Sequence, residues 1–329
     1  MSNKPGRPPM VTTVLTARST STRYPNKVLA DIEGKPLLYW IAKKLADVGN
    51  VVLAIPEGDD ILWEWGKAEG FPTYAGSMND VTGRIMNAAN EFYPNTKYIM
   101  RGLGDMPFIV PEFVTRAAMT LHNYDMDAFI WATPPFIYTT YGASDFPRSR
   151  RAWEATNANG VRDEREHPDL YYHRHRDRFK IIYHEPPPPL YFRPYRLEVD
   201  WDEDLELIRR ISKAFGRLPS AEEAIGYLDK CDDWRVNRLR VERTGLMASY
   251  RQSERAMWWR IMVGQPVVRW DDTVVETPKG GVPVFCAAKV CYIGYTVAGK
   301  LYRRDATIEG DTLIKCACGA NKHWTSAVK

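Results

Sequence analysis

What this sequence lacks excludes several classes of protein. No apolar stretch approaches the roughly 18 residues that a membrane-spanning helix needs. The first ten residues are polar and rich in proline, without an apolar core, so we expect no secretory signal. The net charge is only +4 over 329 residues, which indicates neither a nucleic-acid partner nor a membrane surface.

Cysteine is also scarce, and its number is odd. The chain has 5 cysteines, and Cys231 is far from the other four. This usage does not suggest a secreted disulfide framework, so we expect a soluble, reduced protein of the cytoplasm. The composition, 44% hydrophobic and 26% charged, is that of a globular chain long enough for two domains.

Strand-like and helix-like patterns alternate through the first two thirds of the chain. Apolar runs such as MVTTVLTA, NVVLAIP and TKYIMRGL are typical of buried strands, and YRLEVD also suggests a strand. Amphipathic segments after Pro36, Asp80 and Pro111 predict helices, as does DEDLELIRRISKAF. The alternation predicts an α/β domain over residues 1–228, with a mostly parallel sheet and helices on both faces.

A cluster of cations follows the first predicted strand. Arg18, Arg23, Lys27 and Lys35 lie among small polar residues, with few carboxylates near them in sequence. Ligands of parallel α/β sheets bind at the carboxyl ends of the strands, and forked guanidinium groups suit phosphate oxygens. The cluster therefore predicts a site for a multiply charged anion; the alternative is a solvated basic loop.

Two aspartates are predicted at the same edge of the sheet. Asp105 follows a strand in a glycine-flanked loop, and Asp200 ends YRLEVD. Two carboxylates that converge there could hold Mg²⁺ against the phosphates of a nucleotide. The alternative for each aspartate is a role as a turn or helix cap.

The order of the residues in the cationic loop resembles the start of the cytidylyltransferase family, which includes the CMP-Kdo and CMP-sialic acid synthetases and the spore coat polysaccharide branch. The pattern there is A-R-x-x-S-x-R-x-P-x-K, then G-K-P-L. The matching positions are Ala17, Arg18, Ser21, Arg23, Pro25, Lys27, Gly34, Lys35, Pro36 and Leu37. The chain departs from the pattern at Tyr24, where leucine is usual, and at Asn26, where glycine is usual.

Four further segments follow in the family's order, so that the resemblance covers about residues 11–228. They are GSMNDVTGRIMNAA, RGLGDMPFIVPEFV, DEREHPDLYY and LEVDWDEDLELIRRI. The third has one residue inserted between Asp163 and Arg165 relative to the family's D-R-E-H. The resemblance implies the Rossmann-like GT-A sheet of nucleotide-diphospho-sugar transferases.

The resemblance also implies a reaction, in which the hydroxyl of a sugar, by expectation acidic, attacks the α-phosphate of CTP and pyrophosphate leaves. Arg18 and Lys27 would hold the triphosphate beside Ala17, and Asp105 and Asp200 would bind Mg²⁺. Arg84 and Arg101 are the further candidates for nucleotide contacts. Arg23 and Lys35 would hold pyrophosphate or the sugar, and Glu166 and His167 would close over the sugar.

The last hundred residues, 229–329, show no family resemblance and predict a smaller α+β module, rich in β-hairpins from about residue 282. Cys286, Cys291, Cys316 and Cys318 have the spacing C-x4-C-x24-C-x-C. Paired cysteines on neighbouring hairpins predict a zinc site, with four small buried residues as the alternative. This module could also carry a homodimer contact or a protein partner.

Two other functions stay open on the sequence alone. A glycosyltransferase that uses a nucleotide sugar would share the fold class, since fold does not fix function. A non-catalytic scaffold could retain the fold for assembly through its last hundred residues. All four of the predicted catalytic residues are present, which favours an active enzyme over a scaffold that has lost its activity. They are Arg18, Lys27, Asp105 and Asp200.

Overall fold

The structure is a computed structural model that describes most of the first 237 residues and eight strands beyond them. The described ranges are 11–21, 23–131, 146–184, 195–237, 266–268, 274–276, 282–286, 292–297, 300–303, 306–309, 312–316 and 324–326.

The chain divides into two compact units that are each discontinuous in sequence. Within the described residues, the first unit comprises 11–130, 146–182 and 197–224. The second comprises residues 131, 183–184, 195–196 and the residues described from 225 onward.

The first unit is built on a sheet of seven strands in a mostly parallel arrangement. In chain order, the strands of the region up to residue 184 are β1 Val11–Thr16, β2 Asp31–Ile32, β3 Lys35–Pro36, β4 Gly49–Pro56, β5 Thr73–Gly76, β6 Tyr98–Leu103, β7 Ala128–Trp131, β8 Arg148–Ser149 and β9 Ile181–His184. The sheet order is β9-β7-β8-β6-β1-β4-β5, while β2 and β3 form a separate hairpin. Strand β1 pairs in parallel with β4 and β6, whereas the short β8 is antiparallel to both of its neighbours.

Nine α-helices lie within the described residues. They are α1 Leu37–Ala46, α2 Asp60–Ala68, α3 Val81–Phe92, α4 Pro111–Asn123, α5 Arg150–Asn159, α6 Asp163–Glu166, α7 Pro168–Arg174, α8 Asp202–Phe215 and α9 Ala221–Leu228. None of them combines the length and the apolar character that crossing a bilayer requires.

The helices cover both faces of the sheet, as predicted. Successive side chains of a strand point to opposite faces. Val14 of β1 belongs to an apolar cluster with Ile85 of α3, so α3 covers that face. On the other face, the space beside Gly102 of β6 is filled by Leu15 of β1 and Leu45 of α1.

Most of the predicted elements are confirmed, including the helices after Pro36, Asp80 and Pro111. Ser220 and Glu223 form a capping box at the start of α9: the Ser220 hydroxyl accepts the N–H of Glu223 at 3.2 Å, and the Glu223 carboxylate accepts the N–H of Ser220 at 2.8 Å.

The prediction of a strand over YRLEVD is wrong. Residues 195–200 form no strand, although Val199 donates its backbone N–H to the carbonyl of Asp105 at 2.9 Å. That acceptor lies in the loop beyond the end of β6 at Leu103, where no strand continues. Residues 195–200 therefore have no neighbouring strand at that point with which to form a β-ladder. The hydrogen bond to the loop holds the segment in place instead.

Three helices that the sequence patterns did not predict, α5, α6 and α7, lie between β8 and YRLEVD. Arg148 of β8 contacts two of them: its guanidinium lies over the rings of Trp153 and Tyr172, at 5.1 Å and 5.0 Å, and pairs with Asp169 of α7. The contacts with Tyr172 and Asp169 join residues that are distant in sequence, so the local pattern does not reveal them.

The second unit contains the later strands. They are β10 Pro266–Val268, β11 Val274–Glu276, β12 Val282–Cys286, β13 Tyr292–Val297, β14 Lys300–Arg303, β15 Ala306–Glu309, β16 Thr312–Cys316 and β17 Trp324–Ser326. Strand β12 pairs antiparallel with β13 and β17, and β15 pairs antiparallel with β16. Whether residues 229–329 form a separate module stays a prediction.

Candidate active site

A pocket of about 300 Å³ lies at the carboxyl end of the parallel strands, entirely within the first unit. Its walls come from the loops after β1, β5 and β6, from α3, from the end of α6 and from the segment before α8. The lining residues that the sequence had singled out are Ala17, Arg18, Arg23, Lys27, Arg84, Arg101, Asp105, Glu166, His167 and Asp200.

The loop after β1 is held in place by a buried acceptor. Asp59, which caps α2, accepts the backbone N–H of Ser19 at 2.7 Å. The carbonyl of Ser19 then accepts the N–H of Asn26 at 2.9 Å, which closes the loop. Asn26 has φ 57°, a left-handed conformation that glycine and asparagine tolerate best. The departure from the family's glycine therefore preserves the turn.

The closed loop places the ammonium group of Lys27 between two carboxylates. Its Nζ lies 2.7 Å from Asp105 Oδ2 and 2.8 Å from Asp200 Oδ1, and the lysine side chain is only 10% exposed. Burial alone would lower the pKa of Lys27, but the two carboxylates outweigh it and raise that pKa above its ordinary value. Lys27 is therefore a fixed positive charge between two aspartate side chains.

The carboxylate of Asp200 is paired with cations. Besides Lys27, Arg23 lies 3.4 Å from Asp200 and stacks over the ring of Trp201 at 5.3 Å. The carboxylate of Asp204, on the first turn of α8, accepts the backbone N–H groups of Asp200 and Trp201 at 2.9 Å and 3.0 Å. Asp204 thus supports the start of α8 from within the helix.

A second group of cations also lines the pocket. Arg84 of α3 is buried and donates from Nη1 to the carbonyl of Ser77 at 2.7 Å. Burial, together with the positive charges of Arg101 and Arg18, lowers the pKa of Arg84 to about 10. The Nε atoms of Arg84 and Arg101 are buried and have no hydrogen-bond partner among the described residues. Buried donors without partners are costly, so this part of the pocket suits an anionic ligand.

Two further residues that the sequence predicted line the pocket, and a third lies outside it. Glu166 and His167 line the pocket from the end of α6. Lys35 is exposed on the β2–β3 hairpin, where its ammonium lies 4.9 Å from the ring of Tyr39, and it does not line the pocket.

The arrangement fits a hard divalent cation. Asp105 and Asp200 share one ammonium and are each about a quarter exposed to the pocket. Mg²⁺ prefers one or two carboxylates and completes its shell with water and substrate phosphates. Among the described residues, no group of three or more metal-ligating side chains occurs, and this pair of carboxylates lines the pocket.

The predicted zinc site cannot be placed. Cys291 and Cys318 lie outside the described residues, while Cys286 and Cys316 lie at the ends of β12 and β16. The site therefore stays a prediction.

The family model for cytidylyltransferases matches residues 12–225, about two thirds of the sequence. The chain belongs to the cytidylyltransferase family. This match spans the whole pocket, including the cationic loop, Asp105 and Asp200.

Individual relatives agree with the assignment. This cytidylyltransferase is 27% identical over 240 residues to the spore coat polysaccharide biosynthesis protein SpsF of Bacillus subtilis, covering 68% of this chain and 96% of the relative. It is 36% identical over 123 residues to the 3-deoxy-manno-octulosonate cytidylyltransferase of Rhizobium etli, covering 36% of this chain and 48% of the relative.

A solved structure shares the fold. A cytidylyltransferase from Leptospira borgpetersenii superposes with a TM-score of 0.58 at 23% sequence identity, covering 68% of this chain and 94% of that one. The predicted α/β nucleotidyltransferase fold is thereby confirmed.

Three residues that support the site were missed by sequence reasoning. Asp59, Asp80 and Arg165 hold the loops and helices that carry the pocket residues. Asp59 and Asp80 precede helices, so the sequence could have signalled them as caps. Nothing in the local pattern signals their second contacts, which join distant parts of the chain.

Proposed function

We propose that this cytidylyltransferase transfers CMP from CTP to a hydroxyl of an acidic sugar, with Mg²⁺ as cofactor, and releases pyrophosphate. The observation that carries the proposal is the pairing of Lys27 with Asp105 and Asp200 in a pocket that is also lined by Arg84 and Arg101, whose buried Nε atoms have no hydrogen-bond partner among the described residues. The carboxylates suit a metal and the arginines suit phosphates, and a metal–nucleotide complex needs both.

The phosphates belong with Arg18, Arg84 and Arg101 in this proposal. These three guanidinium groups disfavour one another's charge, and a bound triphosphate would relieve that repulsion. Phosphoryl transfer depends mainly on positioning and charge stabilisation, so fixed arginines in this pocket contribute directly. Five cations line the pocket against three carboxylates, so positive charge is in surplus for an acidic acceptor.

Asp105 and Asp200 would hold Mg²⁺, which when bound neutralises the phosphates and polarises the α-phosphorus for attack. Lys27 contacts both carboxylates and holds them close together. In the reaction, the sugar hydroxyl loses its proton to water as its oxygen forms a bond to the α-phosphorus, while the bond from that phosphorus to the β-phosphate oxygen breaks. In this proposal Glu166 and His167, which line the same pocket, contact the acceptor.

The glycosyltransferase alternative predicts a different reaction. Such an enzyme would consume a nucleotide sugar and release a nucleoside diphosphate, without releasing pyrophosphate. The match of the family model over the pocket favours the cytidylyltransferase reaction. A scaffold would bind nucleotide without turnover, which the same assay detects.

The test is pyrophosphate release from each of the four ribonucleoside triphosphates with Mg²⁺ and a panel of acidic, phosphorylated and neutral sugars. We expect release with CTP and an acidic sugar, and loss of release in Asp105→Asn. Pyrophosphate release with another nucleotide, with neutral sugars alone, or with no sugar in the panel would overturn the corresponding part of the proposal. The control is Asp202→Asn, which changes an exposed carboxylate two residues from Asp200.

A further inference from the structure

Helix α6 ends at Glu166, which lines the pocket. An ion pair and hydrogen bonds hold this helix against the first turn of α3. Arg165 reaches across and pairs through Nη2 with Asp80, and its Nη1 donates to the carbonyl of Asn157 on α5. Thr82 is fully buried and donates its hydroxyl to the carbonyls of Glu164 at 3.1 Å and Arg165 at 3.0 Å. Both connections join residues more than eighty positions apart in sequence.

Asp80 serves two partners at once. One carboxylate oxygen caps α3 by accepting the N–H of Gly83 at 2.8 Å, while the other receives Arg165. A Cβ at position 83 would lie 2.4 Å from the Asp80 carboxylate and 3.0 Å from the Arg165 guanidinium. Only glycine at position 83 leaves room for the pair of Asp80 and Arg165. The close approach of α6 to α3 therefore depends on residues of both segments.

Both joined segments contribute residues to the pocket. Helix α3 bears Arg84, and Glu166 and His167 line the pocket from the end of α6. Since α6 is only four residues long, its own hydrogen bonds cannot fix its direction. The orientation of Glu166 and His167 must therefore come from contacts such as those of Arg165.

We infer that Arg165 is a positioning residue: through its pair with Asp80 it fixes Glu166 and His167 against the pocket, and thereby sets the affinity for the acceptor but not for CTP. The assignment of the acceptor to Glu166 and His167 rests on the proposed function. The attachment of α6 to α3 rests on the observed contacts alone.

The direct test is hydrogen–deuterium exchange of the full chain, compared between the parent and Arg165→Met, Arg165→Lys and Asp80→Asn. Asn caps helices as well as Asp does, so Asp80→Asn removes the charge partner while keeping the cap. We expect exchange over residues 160–168 to rise about tenfold or more in Arg165→Met and Asp80→Asn, the scale of one charge-assisted hydrogen bond. Arg165→Lys should restore part of the protection.

The matched control is Arg217→Met, which removes a different arginine pair, that with Glu223, from the same unit. Its exchange over residues 160–168 should equal that of the parent. Should Arg165→Met fail to fold, Thr82→Val removes the neighbouring connection with little change of volume. Parental exchange over 160–168 in the folded variants would overturn the positioning role.

Kinetics then separate this inference from the proposed function. In Arg165→Met we expect the KM for the acceptor to rise about tenfold while the KM for CTP stays within about twofold. An active parent with an unchanged acceptor KM in the variant would contradict the inference. A parent inactive with every acceptor would contradict the proposed function, and the exchange experiment would still decide the positioning role.

Discussion

The ammonium of Lys27 lies 2.7 Å from a carboxylate oxygen of Asp105, although 78 residues separate them in the chain. Asp200 approaches the same ammonium from the far end of the unit's sequence. The sequence assigned the lysine to phosphate and the aspartates to metal, as separate tasks. In the folded chain they form one group, so a change in any member alters the charge on the others.

The first prediction separates the two cations of the loop. Arg18 is exposed, whereas Lys27 is buried between its carboxylates. Both Arg18→Ala and Lys27→Ala should weaken CTP binding, by about 1.5–3 kcal/mol, the scale of a charge-assisted hydrogen bond. Only Lys27→Ala should also lower the melting temperature, because it removes the buried ammonium that two partly buried carboxylates share. Calorimetry that finds parental CTP affinity in both variants would remove the loop from the site.

The second prediction concerns Asp59. In Asp59→Ala the N–H of Ser19 loses its buried acceptor, so the loop should loosen and CTP affinity should fall by about tenfold. Asp60→Ala alters the adjacent, exposed residue of the same helix and should bind CTP as the parent does. Equal affinity in the two variants, measured by calorimetry, would contradict a role for Asp59 in the loop.

The third prediction concerns pH. Burial, followed by the charge of Arg217, lowers the pKa of Lys44 to about 8, while its Nζ donates to the carbonyls of Pro107 and Pro219. The unfolded chain, with a lysine pKa near 10.5, then binds more protons than the folded chain between the two values. Stability should therefore rise with pH from about 8 to 10.5.

The measurement for Lys44 is denaturant unfolding of the parent and Lys44→Met at several pH values. The parent should gain stability relative to the variant across that window, by up to about 3 kcal/mol. A constant difference between the two proteins from pH 7 to 11 would contradict the lowered pKa.

The fourth prediction concerns metal in the last hundred residues. If Cys286, Cys291, Cys316 and Cys318 bind zinc, the purified protein should contain about one zinc per chain. Chelation should loosen this region while leaving residues 11–228 folded, since metal binding and folding are coupled in small modules. Elemental analysis that finds no zinc, in protein purified without chelators, would favour the plain β-core alternative.

The sequence predicted the strands and helices of the first unit well where one local pattern decides them. The helix after Asp80 has both an apolar face and a cap, and the structure has both. The prediction over YRLEVD failed because strand formation depends on a neighbour, and the neighbour of Val199 is a loop carbonyl. Local pattern carries no information about that partner.

The sequence predicted most of the residues that line the pocket, but it did not predict how they are arranged in space. The family's order identified Arg84 and Arg101 as site residues, and they do line the pocket. Lys35 matched the same pattern, yet the β2–β3 hairpin carries it away from the pocket. Long-range pairs such as Arg165 with Asp80 depend on how helices pack, which no spacing along the chain expresses.

The central claim is that Asp105 and Asp200 form a metal-dependent catalytic centre. It is tested most directly by metal-dependent pyrophosphate release in Asp105→Asn and Asp200→Asn, with CTP affinity and melting temperature measured alongside. The account predicts a loss of at least about 100-fold in rate, the scale of one preorganised electrostatic element, with a much smaller change in CTP affinity. Near-parental pyrophosphate release in both variants, at the parental melting temperature, would contradict it.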